Sequence, residues 1–432
     1  MPSTRHNVGM APTHSPNFRR LALLLGGLAM FGPFSIDTIF PAFPAIGAQL
    51  GADKVAMQQT ISVYLIAYAL MSIVHGPLSD AIGRRRVILT GLAVFALASV
   101  GCALATDLGT LLAYRAVQGL SAGVGLIVGR AVIRDVLHGD DAQRLMSQVS
   151  MIFGIAPAIA PIIGGWILGW SAWPTIFWFL VLFSVVLLGA VWFGLPETHP
   201  PADRIALHPK SMLRDYVRIL VNPRFQRLAA AGAFNFAALF LYIASAPAFV
   251  LDLLRGFDGQ RLGETDFGWF FVPTIGGMML GAFVSGRAAG RISGAWLANL
   301  GFLVCGAAAA LNIAYNLVVV DVPTLPWAVA PMALNAFGIA LVFPILTLAI
   351  LDMYPRQRGS ASSLQAFTGL VLHSLVAGVV SPLLSGNAMW LALGAAFATA
   401  LGWAFWRWET GTGDTLPEAP AAPAALEPTE RL

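Results

Sequence analysis

Twelve separate stretches of about twenty mostly apolar residues run through the 432-residue chain, and no other feature restricts its fold so tightly. They fall near 20–42, 58–78, 87–105, 110–131, 146–168, 174–194, 227–252, 266–286, 295–316, 326–350, 360–383 and 387–406. A stretch of this length matches the hydrocarbon thickness of a bilayer. Backbone amides cannot be left bare there, so each stretch is expected to cross as a helix. The expected fold is an all-α membrane protein of twelve transmembrane helices, with the lipid bilayer as its solvent. Composition excludes the soluble alternative: 57% of residues are hydrophobic and 11% charged, against about 25% charged in soluble chains. The first stretch is longer than a signal-peptide core and lacks a good cleavage pattern, so it reads as a retained helix. Cys102 and Cys305 both lie inside apolar stretches, which excludes a disulfide scaffold and gives no metal-ligand spacing.

Orientation follows from Lys and Arg. With the N-terminus cytoplasmic, 21 of the 25 fall in inward segments, and Lys54, Arg255 and Arg261 fall outside. Arg115 lies within a stretch. The net charge of +4 is spread over the ends of the stretches rather than gathered in a patch, so nucleic acid is not an expected partner. The expected organisation is a cytoplasmic segment at 1–19, a six-helix bundle at 20–194 and a cytoplasmic loop at 195–226. A second bundle follows at 227–408, then a disordered cytoplasmic tail at 409–432. A Gly-Arg-rich loop after the second stretch (Gly76–Arg86) has a weaker echo after the eighth (Gly286–Arg291), as an internal duplication would give.

Four constellations carry chemistry. The loop from Gly76 to Arg86 holds Asp80 among Arg84, Arg85 and Arg86, with Gly76 and Gly83 permitting a tight reversal. Asp80 can face a helix N-terminus or an arginine such as Arg130; equally, the loop is a basic turn obeying the positive-inside rule. Arg115 is costly in mid-membrane and calls for an inward-facing position with a partner. Gln118 shares its face at i+3, and the alternative is an arginine that ties helices together. Gly154, Pro157, Pro161, Gly164 and Gly165 fall on one face of the fifth helix, for close helix approach or for generic packing. Asp37 is the one acid well inside a stretch. Its charge is expensive there, so it can hold and exchange a proton; hydration near the outer interface or a packing hydrogen bond are the alternatives.

The loop Gly76-x-x-x-Asp80-x-x-Gly83-Arg84-Arg85 resembles the signature of the major facilitator superfamily between helices two and three. Arg115-x-x-Gln118-Gly119 resembles the helix-four motif of its drug:proton antiporters. The helix-five face is similar to their antiporter motif, in the double-proline form of the Bcr/CflA-type branch. Asp37 in Ser35-Ile36-Asp37-Thr38 resembles the end of helix one in that branch. The resemblance implies two six-helix bundles, a cytoplasmic gate at Gly76, Asp80, Gly83, Arg84, Arg85 and Arg130, and proton coupling through Asp37 and Arg115. It also implies a bacterial inner membrane with both termini cytoplasmic.

Tyr64, Tyr68, Gln118, Asn235, Tyr242, Asn335 and Gln365 would suit a mostly apolar cavity between the bundles, although each alone is an ordinary packing residue. His373 reads as a packing residue. No P-loop, His-Glu-x-x-His or Gly-x-Ser-x-Gly context is found, so no enzyme, cofactor or metal site is expected, and protons are the expected energy source. The expectation is proton-coupled efflux of small amphipathic molecules by a single working chain. An importer of a nutrient or metabolite is the alternative, and a receptor or scaffold is a third.

Overall fold

A computed structural model describes residues 18–137, 139–204, 207–288, 291–318, 322–354 and 357–412. Most of the segment 1–19 and of the tail 409–432 lies outside these residues. Nearly everything described is helical, and β-pairing is confined to isolated bridges at Arg255.

Among the described residues the helices group into twelve successive segments. The first is α1 (Phe18–Asp37), extended by a 3-10 turn (Phe40–Ala42) into α2 (Phe43–Leu50). Then come α3 (Lys54–Ile82), α4 (Arg84–Ala103), the pair α5 (Leu108–Ala122) and α6 (Val124–Val136), α7 (Gly139–Leu168) and α8 (Pro174–Gly194). A short helix, α9 (Pro209–Leu220), stands in the segment read as a loop. The second set comprises α10 (Pro223–Ala244) with α11 (Ala246–Ala248) and a π turn, α12 (Gly268–Ala288), α13 (Gly294–Val318) and α14 (Ala330–Met353). It is completed by α15 (Arg358–Leu375), continued through a π turn into α16 (Ser381–Leu384), and α17 (Ala388–Gly411). Among the described residues, eleven spans meet the length and apolarity of a membrane crossing; the twelfth, α7, is apolar over Ile152–Leu168. The chain is a multi-pass membrane protein.

Helix starts are set by polar caps. Asp53 accepts the Ala56 amide at 2.7 Å to open α3, and Asn387 accepts those of Met389 and Trp390 to open α17. Asp107 opens α5, and the hydroxyl and amide of Thr110 hold its carboxyl below the usual carboxylate range.

α1 packs on α7, α3 on α5, and α4 on α8 in the first half; α10 packs on α17, and α14 on α12 and α13 in the second. The halves meet where α3 lies along α15 and where α7 meets α12. These are the second span on the eleventh and the fifth on the eighth, the pairings that a twofold relation between six-helix repeats requires.

The last helix corrects one boundary. Residues 409–411, read as tail, belong to α17, because Glu409 is drawn into the bundle by Arg224 and Arg227. Their Nε atoms donate to its carboxylate at 2.6 and 2.8 Å, and Glu409 is 1% exposed.

Candidate functional site

Arg115 sits at the centre of the first half, fully buried. Its Nε donates to the Thr60 carbonyl of α3 at 3.3 Å. Its Nη1 donates to the carbonyl and hydroxyl of Ser35 on α1, both at 3.1 Å, and to Gln118 Oε1 at 2.8 Å. Gln118 passes the network to Ser99 of α4 at 2.7 Å. The guanidinium lies over the Tyr64 ring, 4.4 Å from its centroid. One residue thus ties α1, α3, α4 and α5 together, and the i, i+3 spacing of Arg115 and Gln118 becomes a direct hydrogen bond. Arg115 Nη2 has no partner among the described residues.

Asp37 ends α1, two residues beyond Ser35, and is 4% exposed. Among the described residues its carboxyl has no hydrogen bond and no ion pair, not even with Arg115. An unpaired charge there would go uncompensated, so the group is suited to carrying a proton.

The segment from Gly76 to Arg86 departs from expectation in two ways. Gly76 lies inside α3, which continues to Ile82, so the reversal is made by Gly83 alone, at φ +104°. A side chain on Gly83 would strike the Glu197 carboxylate, which accepts the Arg84 amide at 2.9 Å. Asp80 pairs with Arg84 rather than Arg130, because the turn at Gly83 folds Arg84 back onto the end of α3. Arg84 also reaches Asp135, at the end of α6, at 3.0 Å. Arg85 donates to the Trp192 carbonyl of α8 at 2.6 Å and covers its ring. Sequence reading missed Asp135 and Glu197; the available signal was that each is an acid at the basic end of a span, as Asp80 is.

The fifth-span residues do not form one contact face. Nothing approaches Gly154. A side chain on Gly164 would meet the Thr38 carbonyl of its own half, whereas one on Gly165 would meet the Glu264 carbonyl of the other half. Adjacent residues on a helix are rotated by about 100°, so the two glycines serve different neighbours.

The residues expected to line a cavity are mostly sealed inside the bundles. Tyr64, Gln118, Asn235 and Tyr242 are 0–2% exposed and cannot line an open cavity in this conformation. Their polar groups are largely engaged by their own half: Tyr64 donates to the Gly32 carbonyl, and Tyr242 accepts from Asn312 at 2.7 Å. Tyr242 and Asn335 border a space of about 20 Å³ within the second half. Gln365 donates to Thr347 at 3.0 Å. Tyr68 is half-buried, edge-on to Tyr64. His373 packs against Phe236 and Phe240, with ring centroids at 5.1 and 4.7 Å.

The halves are sealed at the end where α3 begins. Lys54 pairs with Asp252 at 2.6 Å, Gln59 donates to the Gly378 carbonyl at 2.9 Å, and the Ser62 and Ser374 hydroxyls lie 3.0 Å apart. Gly165 against Glu264, and Phe40 stacked on Phe271, complete the seal.

The family model described as Major Facilitator Superfamily matches residues 23–377. An uncharacterized MFS-type transporter, YdgK, of Bacillus subtilis is 30% identical over 381 residues, covering 87% of this chain and 91% of that protein. A bicyclomycin resistance protein homolog of Haemophilus influenzae is 26% identical, covering 82% and 88%. Multidrug resistance protein D of Escherichia coli is 27% identical, covering 80% and 84%. Among solved structures, the human organic anion transporter MFSD10 aligns with a TM-score of 0.66 at 17% identity, over 91% of this chain and 100% of that one. A bacterial homolog of the human lysosomal transporter Spinster, inward-facing and occupied, aligns at 0.67 with 16% identity, over 94% and 98%.

Proposed function

Because the chain belongs to the Major Facilitator Superfamily, we propose that it exports small amphipathic compounds of the antibiotic and drug type in exchange for protons. The observation that carries the reading is Asp37, a buried carboxyl with no hydrogen bond or ion pair among the described residues, two residues from an arginine-anchored serine. Relatives bearing the names bicyclomycin resistance protein homolog and multidrug resistance protein D, matched over four-fifths of the chain, support the choice of cargo. Asp37 holds a proton while its surroundings are dry and releases it when water or a cationic substrate arrives. Arg115 favours release through its positive charge, and its anchor on Ser35 transmits the change to α1.

The two halves rock about a central site, exposing it to each side in turn. Lys54 and Asp252 latch the outer end, and Asp80, Arg84 and Asp135 form the inner gate. The chain acts in a bacterial inner membrane with both termini cytoplasmic. It works as a monomer, since one chain holds both halves. It transports rather than transforms, needs no cofactor and is driven by the proton gradient. The test is accumulation of a panel of fluorescent and antibiotic compounds in cells expressing the chain. Lower accumulation that a protonophore restores supports the reading; lower accumulation that a protonophore leaves unchanged removes the proton coupling.

A further inference from the structure

The segment joining the two halves leaves an apolar strip bare. α9 turns Tyr216 and Ile219 inward, 6% and 0% exposed, against Phe225 and Leu228 at the start of α10 and Leu364 of α15. The Tyr216 hydroxyl donates to the Ile73 carbonyl of α3 at 2.8 Å, so the helix touches both halves. On the next strip round, Leu213, Val217 and Val221 are 64%, 48% and 64% exposed. Beside them stand Lys210, Arg214 and Arg218, also exposed and repeating at the same four-residue spacing. Only Val221 and Asn222 separate α9 from the spanning helix α10, which holds α9 at the level where the bundle leaves the hydrocarbon.

An apolar strip flanked by a basic one at that depth has the chemistry of a helix lying in the headgroup layer, apolar side chains in the acyl boundary and cations among phosphates. We infer that α9 is a lipid-binding element: Leu213, Val217 and Val221 enter the bilayer surface, and Lys210, Arg214 and Arg218 gather anionic phospholipid. Opposite charge selects this occupant over a second copy of the chain, which would bring the same basic strip against itself.

The experiment places a fluorophore on Val217→Cys in the full chain, in lipid nanodiscs; Cys102 and Cys305 are buried and stay unlabelled. Nitroxide-bearing phosphatidylglycerol is compared with nitroxide-bearing phosphatidylcholine at equal mole fraction, and iodide probes access from water. The expected result is quenching by lipid, weak quenching by iodide, and local enrichment of phosphatidylglycerol by about fivefold or more that is lost in Lys210→Gln/Arg214→Gln/Arg218→Gln. Strong iodide quenching without lipid quenching overturns the inference, because the strip then faces water. Protection from both quenchers overturns it as well, because protein then covers the strip. Enrichment that survives the triple substitution overturns the role of the three bases.

Discussion

Two buried ionic groups behave differently at the scale of single residues. Arg115 is held by fixed acceptors through its Nε and Nη1, whereas no hydrogen-bond donor reaches the Asp37 carboxyl among the described residues. A buried cation with oriented partners is a structural tie, and a buried acid without them is a group whose protonation can change. Gln118→Leu should therefore destabilise the protein by about 1–3 kcal/mol, since Arg115 and Ser99 both lose a buried partner; thermal unfolding in detergent measures it. Glu409→Ala should cost on the order of 2 kcal/mol by the same assay. It strands Arg224 and Arg227, though both are partly exposed and hydration recovers some of the loss. The Arg115–Gln118 bond was legible in the sequence because i, i+3 residues share a helix face. The Glu409 clamp was not, because its partners lie 182 and 185 residues away and no local pattern links them.

The spans were legible at the scale of elements because a twenty-residue apolar run has one physical solution in a bilayer. Their irregularities were less so. The fourth span turns at Gly123, and the first continues through a 3-10 turn to Leu50. α9 was read as loop because a twelve-residue helix mixing bases with apolar residues leaves no uniform run. The cavity residues were misjudged for a related reason: a polar residue in a span shows that it faces protein, but not whether it faces the cavity or its own bundle. The fifth span carries a sharper expectation. Gly165→Leu puts a side chain into the Glu264 carbonyl and should prop the sealed end open, raising the reactivity of a cysteine placed at Ser374, which is 3% exposed in the sealed state, by about tenfold or more, if closure is disfavoured by over 1.4 kcal/mol. Gly154→Ala, with open space around it, should leave that reactivity unchanged.

At the scale of the whole molecule, the seal spans both halves through Lys54–Asp252, Gln59–Gly378 and Ser62–Ser374. Ser62→Cys paired with Ser374→Cys should form a disulfide under oxidant and stop transport, with recovery on reduction; transport that continues at the full rate in the cross-linked protein would show that this contact need not open. Family and twofold architecture follow from the duplicated pattern of spans, whereas cargo and coupling depend on how one carboxyl exchanges its proton. The most direct test uses proteoliposomes with an imposed pH gradient and a compound that expressing cells exclude, comparing the wild type with Asp37→Asn. The account predicts gradient-driven movement in the wild type, and in Asp37→Asn retained binding of the compound with no gradient-driven movement. Flux at the wild-type rate in Asp37→Asn, still dependent on the gradient, would contradict it.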